Sequence, residues 1–289
     1  MTGTICIPPG YQPQSLDTSI EIERVQFSLL RALPLPQRAA RMAQWTKGCW
    51  QLNLSGIQQR HPNASPIQIR CQFAKVVAAE ALSDALLWQI RQHNTPLMLS
   101  DPISLALDIA QILNRLEIPY LIGGSVASAL LGESRATEDI DLVADLSLEQ
   151  VPSLIQALVP RFYLSEETVR EAVRDRRSFN LIDHQSLGKI DIFVLKADPF
   201  PQSEFRRRRS QVVREPDETL VLPTPEDIIL QKLRWYRLTR NRSDKQWRDI
   251  LGVMKLQGET LDFDYLWQWA ESLQLTESLA KALTAAGLF

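Results

Sequence analysis

The sequence contains few of the residues that build disulfide frameworks or histidine-rich metal centres. Its 289 residues include three cysteines and three histidines. Cys6, Cys49 and Cys71 show no C-x-x-C spacing and cannot form a framework of paired bridges, which is typical of a reducing compartment. The histidines lie far apart in the sequence, so neither a histidine-rich metal site nor a Ser-His-Asp triad has support.

Long apolar runs and a strong charge of either sign are also missing. No uninterrupted apolar segment approaches the roughly 20 residues that a membrane-spanning helix needs. The N-terminus lacks a basic start followed by an apolar segment, so we expect a cytoplasmic protein without a membrane partner. Lys and Arg number 32 against 34 Asp and Glu, which gives a net charge of -2. Any surface that binds nucleic acid must therefore be local.

Helical periodicity dominates both ends of the chain. Apolar residues at helical spacing predict three helices between residues 19 and 94, after an irregular arm over 1–16. Further helices are predicted at 225–238, 245–255, 261–272 and 276–287. These patterns predict an N-terminal helical domain over 1–98 and a C-terminal helical region over 223–289.

The middle of the chain, residues 99–222, shows a different sequence pattern. Asp101-Pro102 opens a helix, because Asp can cap it and Pro suits its first turn. Short strands are predicted near 119–122, 177–183, 188–195, 211–214 and 218–222, with helices at 147–158 and 166–175. Strands interleaved with helices predict an α+β or α/β core.

The strongest local feature is a Gly123-Gly124-Ser125 turn followed by two acidic residues, Asp139 and Asp141. Residues i and i+2 of a strand point to the same face, so the two carboxylates are presented together. Paired carboxylates suit Mg²⁺, and the ion would remove their mutual repulsion. The glycines let backbone approach a ligand closely, and the helix beginning at Ser125 offers free N–H groups to a phosphate.

A third carboxylate, Asp191, belongs to a strand with the same alternation, in which Lys189 shares its face. If this strand lies beside that of Asp139, three carboxylates converge. Such a site suits two metal ions, one lowering the pKa of an attacking hydroxyl and the other stabilising a leaving pyrophosphate. Taken singly, each motif also fits an ordinary turn, a helix cap or the solvated edge of a strand.

The chain resembles the DNA polymerase β-type nucleotidyltransferase superfamily, and within it the bacterial abortive-infection and toxin–antitoxin nucleotidyltransferases. The resemblance spans about residues 101–255 and is carried by Gly123-Gly124-Ser125, Arg135-x-Thr137-x-Asp139-Ile140-Asp141 and Lys189-Ile190-Asp191.

This resemblance implies a polymerase β-like core with a mixed β-sheet flanked by helices. Ser125 would contact the triphosphate, Asp139 and Asp141 would bind both ions, and Asp191 would supply the third carboxylate. Gly123, Gly124, Arg135 and Lys189 would complete the nucleotide-binding set. The implied activity depends on Mg²⁺ or Mn²⁺ and moves a nucleotide from a nucleoside triphosphate to an acceptor hydroxyl. We expect a tRNA or another RNA end or a protein side chain as the acceptor, in a toxin–antitoxin or phage-defence context, and an aminoglycoside hydroxyl stays open as an alternative.

The segment from Thr224 to Asp249 resembles the helical segment that follows the core in those proteins, where a lysine and an arginine face the nucleotide. Lys232 fits the lysine, and Arg240 and Arg242 fit the arginine less well. From helical spacing alone, Lys232 faces either the site or solvent. Asp249 either orients one of these cations or neutralises local charge.

Basic residues cluster over 206–214 and 234–248. Beside the site they would contact the phosphates of a nucleic-acid acceptor such as tRNA, and elsewhere they form solvated faces. Trp235, Tyr236 and Trp247 are interleaved with these charges and either stack on a base or pack in the core.

Two other interpretations stay open. A non-catalytic nucleotide-binding regulatory or antitoxin module would have lost a carboxylate, and none is lost. A helical interaction protein would make the acidic pairs incidental. The motifs G-x-x-x-x-G-K-[ST], G-x-G-x-x-G, H-E-x-x-H and G-x-S-x-G are absent, which narrows the enzyme classes. The N-terminal helices carry no grouped catalytic residues, so they form a fused regulatory module, complete the fold or mediate a homodimer.

Overall fold

The structure, a computed structural model, describes residues 9–78, 82–92 and 97–289. Within these ranges the helices are α1 (Ile20–Ala32), α2 (Leu35–Arg60), α3 (Pro66–Val77), α4 (Asp84–Gln92), α5 (Pro102–Arg115), α6 (Gly124–Leu131), α7 (Val151–Leu158), α8 (Glu166–Asp175), α9 (Pro199–Arg207), α10 (Pro225–Leu238), α11 (Asp244–Gln257), α12 (Phe263–Ser272) and α13 (Thr276–Ala286). The strands are β1 (Tyr120–Ile122), β2 (Asp139–Ala144), β3 (Phe162–Tyr163), β4 (Ser178–Asp183), β5 (Lys189–Val194), β6 (Arg209–Arg214) and β7 (Glu218–Leu222).

A mixed β-sheet lies at the centre of the fold. In the described part of the chain its strand order is β1-β2-β5-β4-β3, and β6 pairs with β7 in a separate hairpin. Strands β2 and β5 are parallel, whereas β1 with β2, β4 with β5 and β3 with β4 are antiparallel. This sheet, with helices before and after it in the chain, confirms the predicted α+β fold class.

Each central strand buries one face and leaves the other half-exposed. In β2 the side chains of Ile140 and Leu142 are buried, and in β5 those of Ile190 and Ile192 are buried. They join one apolar core with residues of α5, α7 and α8, which cover that face of the sheet. The residues that alternate with them in β2 and β5 lie on the opposite, half-exposed face of the sheet.

Helix α6 is buried on every side and links two cores. Val126 and Leu130 pack into the core beneath the sheet, whereas Ala127 and Leu131 pack against α10, α11 and the helices that follow. A helix that is apolar all round is stable only when it is surrounded by protein. The N-terminus of α6 is consequently fixed in position beside β2.

The N-terminal helices pack against several parts of the remaining chain. Glu23 of α1 pairs with Lys255 of α11, with Nζ 3.0 Å from Oε2 and both side chains at most 2% exposed. Ala39 and Met42 of α2 enter the main core, and α3 and α4 form a further core that includes Tyr163. Where periodicity predicts three helices, this region has four among its described residues, since α4 follows α3 as a separate helix.

Helix starts follow the capping residues. The Asp101 side chain accepts from the backbone N–H of Ser104 at 2.9 Å, which confirms the predicted start of α5. The sequence did not predict β3 or α9. Strand β3 has two residues and is too short to show a period, and α9 begins with Pro199-Phe200-Pro201. Of the helices that the structure describes, none is long and apolar enough to cross a membrane.

Candidate active site

The acidic residues of β2 and β5 lie on one face of the sheet, side by side. Because the two strands are parallel and in register, Asp141 is the cross-strand partner of Asp191, and Asp139 is that of Lys189. Strand alternation turns all four side chains away from the core beneath the sheet. The structure thus brings together the three carboxylates that the sequence singled out.

Burial and the neighbouring negative charges act on the pKa of Asp139 and of Asp141 in the same direction. Burial raises the pKa of Asp139, and the charges of Asp191 and Asp141 raise it further against the opposing effect of Lys189. Burial also raises the pKa of Asp141, and Asp191 is the largest charge effect on it. A positive charge placed among them would stabilise all three ionised groups.

Lys189 supplies one such positive charge. Its Nζ lies 2.7 Å from Oδ2 of Asp191, with the two side chains 17% and 16% exposed. Burial would lower the pKa of Lys189, but the hydrogen bond and charge of Asp191 outweigh it and raise that pKa. In this arrangement, no three His, Cys, Asp or Glu side chains in the described ranges are grouped so that they could hold a metal ion. Asn180 of β4, the cross-strand partner of Asp191 on its other side, was not singled out from the sequence.

The Gly-Gly turn lies against the Asp141 carboxylate. Gly123 donates its backbone N–H to the carbonyl of Asp141 at 2.9 Å. Gly124 has a φ of +53°, and a Cβ added to it would lie 1.7 Å from Oδ2 of Asp141. The backbone N–H of Ser125 points to the same oxygen, with a nitrogen–oxygen distance of 3.4 Å. The conformation and the space both require glycine at 124, and the Ser125 N–H at the start of α6 faces the Asp141 carboxylate.

The Ser125 hydroxyl is engaged within the protein. It contacts the hydroxyl of Thr137 and lies 3.2 Å from the carbonyl oxygen of Asp139, and Ser125 is only 6% exposed. Thr137 is in turn fixed by its backbone N–H, which donates to Oγ1 of Thr46 at 3.1 Å. These contacts tie the start of α6 to the start of β2. In this conformation it is the backbone of Ser125, rather than its hydroxyl, that faces Asp141.

Arg135 and Lys232 meet on one carboxylate. Asp249 accepts from Nε and Nη2 of Arg135 at 2.8 and 2.9 Å, and from Nζ of Lys232 at 2.8 Å. Ser128 of α6 donates to the same carboxylate at 3.3 Å. Burial alone would raise the pKa of Asp249, but the hydrogen bond of Arg135 and the charge of Lys232 outweigh it and lower that pKa. Asp249 therefore holds both cations at the junction of α6, α10 and α11.

A cleft of about 480 Å³ extends from the acidic site to an apolar wall. Gly123, Gly124, Asp141 and Lys232 line it at one end. The other lining residues include Val143, Phe193, Glu204, Gln231, Arg234 and Trp235. The volume lies within the range of small-molecule sites. Val143 and Phe193 are cross-strand partners that lie two residues beyond Asp141 and Asp191 on the same strands. The open face of the sheet therefore changes from acidic to apolar within the cleft.

The aromatic residues interleaved with the basic ones have different surroundings. Trp235 is 44% exposed and lines the cleft, where it is accessible to a ligand. Tyr236 is buried, with its ring centroid 5.1 Å from that of Trp247. Two lining residues, Pro201 and Glu204, come from α9, which shows no helical period in the sequence, and this is why the sequence did not reveal them.

The cluster of basic residues is largely engaged in contacts within the chain. Arg207 pairs with Glu226 at 3.1 Å and Asp227 at 3.3 Å, and Arg214 pairs with Glu218 at 3.1 Å. Arg240 and Arg242 lie exposed in the loop between α10 and α11. Fewer arginines are therefore available to a ligand than their number in the sequence indicates.

Comparison with known proteins gives likenesses of structure and none of sequence. No protein-family model matches the chain, and no curated protein matches it significantly. A solved antigenic nucleotidyltransferase-like protein from Paracoccidioides brasiliensis aligns with 63% of this chain and 92% of its own, at 20% identity and a TM-score of 0.42.

Two further structures align more loosely. The lincosamide antibiotic adenylyltransferase LnuA, bound to lincomycin, covers 55% of this chain and 98% of its own, at 14% identity and a TM-score of 0.37. A CCA-adding enzyme in complex with ATP covers 73% of this chain and 55% of its own, at 13% identity and a TM-score of 0.29. With TM-scores below 0.5, these likenesses establish neither a family nor an activity for this chain.

Proposed function

We propose that this chain is a magnesium-dependent nucleotidyltransferase, which moves a nucleoside monophosphate from a nucleoside triphosphate to an acceptor hydroxyl. One observation carries the proposal. Asp139, Asp141 and Asp191 share one face of two adjacent parallel strands, and Asp141 lies against the Gly124 turn at the head of a cleft. Carboxylates beside the N-terminus of a helix suit a site at which a triphosphate and its cations are recognised together.

The three carboxylates offer oxygen atoms, the ligand type that a hard divalent cation prefers. Asp139, Asp141 and Asp191 would hold Mg²⁺, with Mn²⁺ as the substitute, because the ion would offset the burial and mutual repulsion that raise the pKa of Asp139 and Asp141. The bound metal would supply Lewis-acid stabilisation of the phosphoryl oxygens and a lower pKa for the acceptor hydroxyl. Asp191 would accept the proton that the acceptor hydroxyl releases.

The remaining residues bind and orient the triphosphate. The N–H groups at the start of α6 would donate to phosphate oxygens, aided by the positive end of the helix dipole. Lys232, Arg135 and Lys189 would neutralise phosphate charge, and Asp249 holds the first two in place. The apolar end of the cleft would take the base.

We propose an RNA end, such as that of tRNA, or a protein side chain as the acceptor. The exposed loop between α10 and α11, which carries Arg240 and Arg242, follows directly after the cleft residue Leu238. Its free cations would contact an anionic acceptor. A toxin–antitoxin or phage-defence role belongs to the same proposal, and growth arrest on expression of the wild type but not of an Asp139→Ala variant would support it.

The test is incubation of the purified protein with Mg²⁺ and each of four α-labelled nucleoside triphosphates, with total RNA or the protein itself as acceptor. Asp139→Ala and Asp191→Ala should lower label transfer by about 100-fold or more, since each removes a charge that acts on the reacting centre. Asp145→Ala, which removes an exposed carboxylate just beyond β2, is the matched control and should retain activity. Transfer that survives both site variants would overturn the proposal.

A non-catalytic nucleotide-binding module is the second candidate. The observation that favours it is the ion pair of Lys189 with Asp191, because the lysine charge already compensates the carboxylate that catalysis would use. This candidate predicts triphosphate binding that depends on Asp141 and Lys232, with no label transfer to any acceptor. The absence of both binding and transfer would remove both candidates.

A further inference from the structure

Strand β4 extends the open face of the sheet beyond Asp191. Because cross-strand partners share a face, Asn180 lies beside Asp191, and Ser178 lies beside Phe193. Both of these β4 residues are exposed, whereas Phe179, which alternates with them, is buried in the core. The part of β4 next to Asp191 is therefore accessible to a ligand.

This exposed face of β4 lies outside the proposed nucleotide cleft. Residues of β1, β2 and β5 line the cleft, and among the described residues none of β4 does. Asp191 separates the two regions, since its cross-strand partner on one side is Asp141 of the cleft and its partner on the other side is Asn180. The sheet thus offers a second approach to Asp191, from the side of β4.

The chemistry of the proposed transfer requires a second approach of this kind. In phosphoryl transfer the attacking and leaving oxygens lie roughly in line, on opposite sides of the phosphorus. The proposed triphosphate site at the start of α6 lies beside Asp141 of β2, so an acceptor hydroxyl attacks from the side of β5 and β4. The acceptor oxygen bonds to the α-phosphorus, its proton passes to Asp191, and pyrophosphate leaves with the electron pair of the broken P–O bond.

Asp191 and Asn180 form a pair of hydrogen-bonding groups on that approach. Lys189 contacts Oδ2 of Asp191 at 2.7 Å. No hydrogen bond within the described ranges engages Oδ1 of Asp191 or the side-chain amide of Asn180. Cross-strand Cβ atoms lie about 4.5–5.5 Å apart, so two neighbouring hydroxyls of one ligand can reach both side chains. The amide both donates and accepts, which suits a hydroxyl.

We propose that Asn180 binds the acceptor through a hydrogen bond to the 2′-hydroxyl of an RNA 3′ end, while Asp191 takes the proton of the 3′-hydroxyl. This inference rests on the proposed transferase and names an RNA end as its acceptor. A terminal ribose carries two adjacent hydroxyls, which match the two side chains, whereas a serine, threonine or tyrosine side chain carries one. The 2′-hydroxyl is also the group by which a protein distinguishes RNA from DNA.

Two oligoribonucleotide pools of random sequence test this proposal, one ending in ribose and the other in 2′-deoxyribose. The measured quantity is the ratio of kcat/KM for transfer of an α-label to the two ends. The wild type should favour the ribose end about 5- to 10-fold, the effect of one hydrogen bond. In Asn180→Ala the ratio should fall to within about twofold, because the 2′-hydroxyl has lost its partner.

Further comparisons separate this role from a structural one. Asn180→Leu keeps the size of the side chain without its hydrogen bonds, and it should lose the preference as Asn180→Ala does. Ser178→Ala removes an exposed hydroxyl from the same face of β4 and should keep the wild-type ratio. The Kd of the triphosphate should be the same in the wild type and in these variants, since the described residues of β4 lie outside the cleft.

The outcomes distinguish this inference from the proposed transferase. If the wild type labels neither pool and no protein, the proposed function fails and the inference fails with it. Transfer to protein alone, or equal transfer to the two RNA ends, overturns the inference and leaves the transferase standing. A preference that persists in both Asn180→Ala and Asn180→Leu also overturns it, because another residue then contacts the 2′-hydroxyl.

Discussion

Replacing Asp249 with asparagine removes one charge from a buried cluster without changing its shape. Asp249 has a 5% exposed side chain and binds Lys232, which is 6% exposed, and Arg135, which is 26% exposed. The variant leaves two cations facing an amide that offers them no negative charge. We expect it to lower both the free energy of unfolding and the affinity for a nucleoside triphosphate, because the cations lose their position.

The magnitude follows from the burial of the three groups. Removing one partner of a buried ion pair costs about 3–5 kcal/mol. The lower end applies, since Arg135 is a quarter exposed and water screens its part, so we expect about 3 kcal/mol. An exposed pair gives the control: Glu218→Gln breaks the contact with Arg214, in which the side chains are 38% and 43% exposed, and should cost less than about 1 kcal/mol.

The assay is urea unfolding followed by circular dichroism at several pH values. The pKa of Asp249 is lowered in the folded protein, so its stabilisation is complete above the ordinary carboxyl pKa of about 4 and is lost as the pH falls through the folded pKa. The difference between the wild type and Asp249→Asn should therefore be constant near neutrality and shrink in acid. A loss below about 1 kcal/mol at pH 7 would refute the argument.

Two further predictions concern the turn and the N-terminal helices. Gly124→Ala should abolish triphosphate binding, measured by equilibrium titration, because the new Cβ would collide with Asp141 and the φ of +53° disfavours alanine. Glu23→Gln should lower the free energy of unfolding by about 3 kcal/mol in urea, because it leaves Lys255 buried without its counter-charge.

Each of these predictions has a matched control. Gly48 lies inside α2 with no atom within 4 Å of an added Cβ, so Gly48→Ala should stabilise the protein by about 0.5–1 kcal/mol. Glu21→Gln removes an exposed glutamate from the first turn of α1 and should cost about 0.5 kcal/mol or less. Normal triphosphate binding by Gly124→Ala, or equal stability of Glu23→Gln and Glu21→Gln, would contradict the structural argument.

Local patterns in the sequence predicted many of the helices and strands. Alternation in β2 and β5 predicted that the site carboxylates share a face opposite the buried isoleucines, since side-chain direction in a strand depends only on its period of two. Capping residues fixed the start of α5, and apolar spacing gave helices α10 to α13. These features depend on residues only a few positions apart, which is why the sequence alone predicts them.

Features that depend on distant pairing could not be predicted in the same way. The ion pair of Arg135 with Asp249 joins residues 114 positions apart, and neither residue has a local pattern that specifies the other. The place of Glu204 in the cleft also arises only from packing. The resemblance to nucleotidyltransferases indicated a role for Lys232. The position of its ammonium group, however, is set by the ion pair with Asp249, which the sequence does not reveal.

Nucleotidyl transfer at this site can be followed with two labels on one nucleoside triphosphate. With the label on the α-phosphorus, we expect transfer to the acceptor in the wild type and in Asp145→Asn, and a loss of about 100-fold or more in Asp141→Asn. With the label on the γ-phosphorus, we expect release in pyrophosphate and none on the acceptor. Transfer of the γ-label, or equal α-transfer by Asp141→Asn and the wild type, would contradict nucleotidyl transfer at this site.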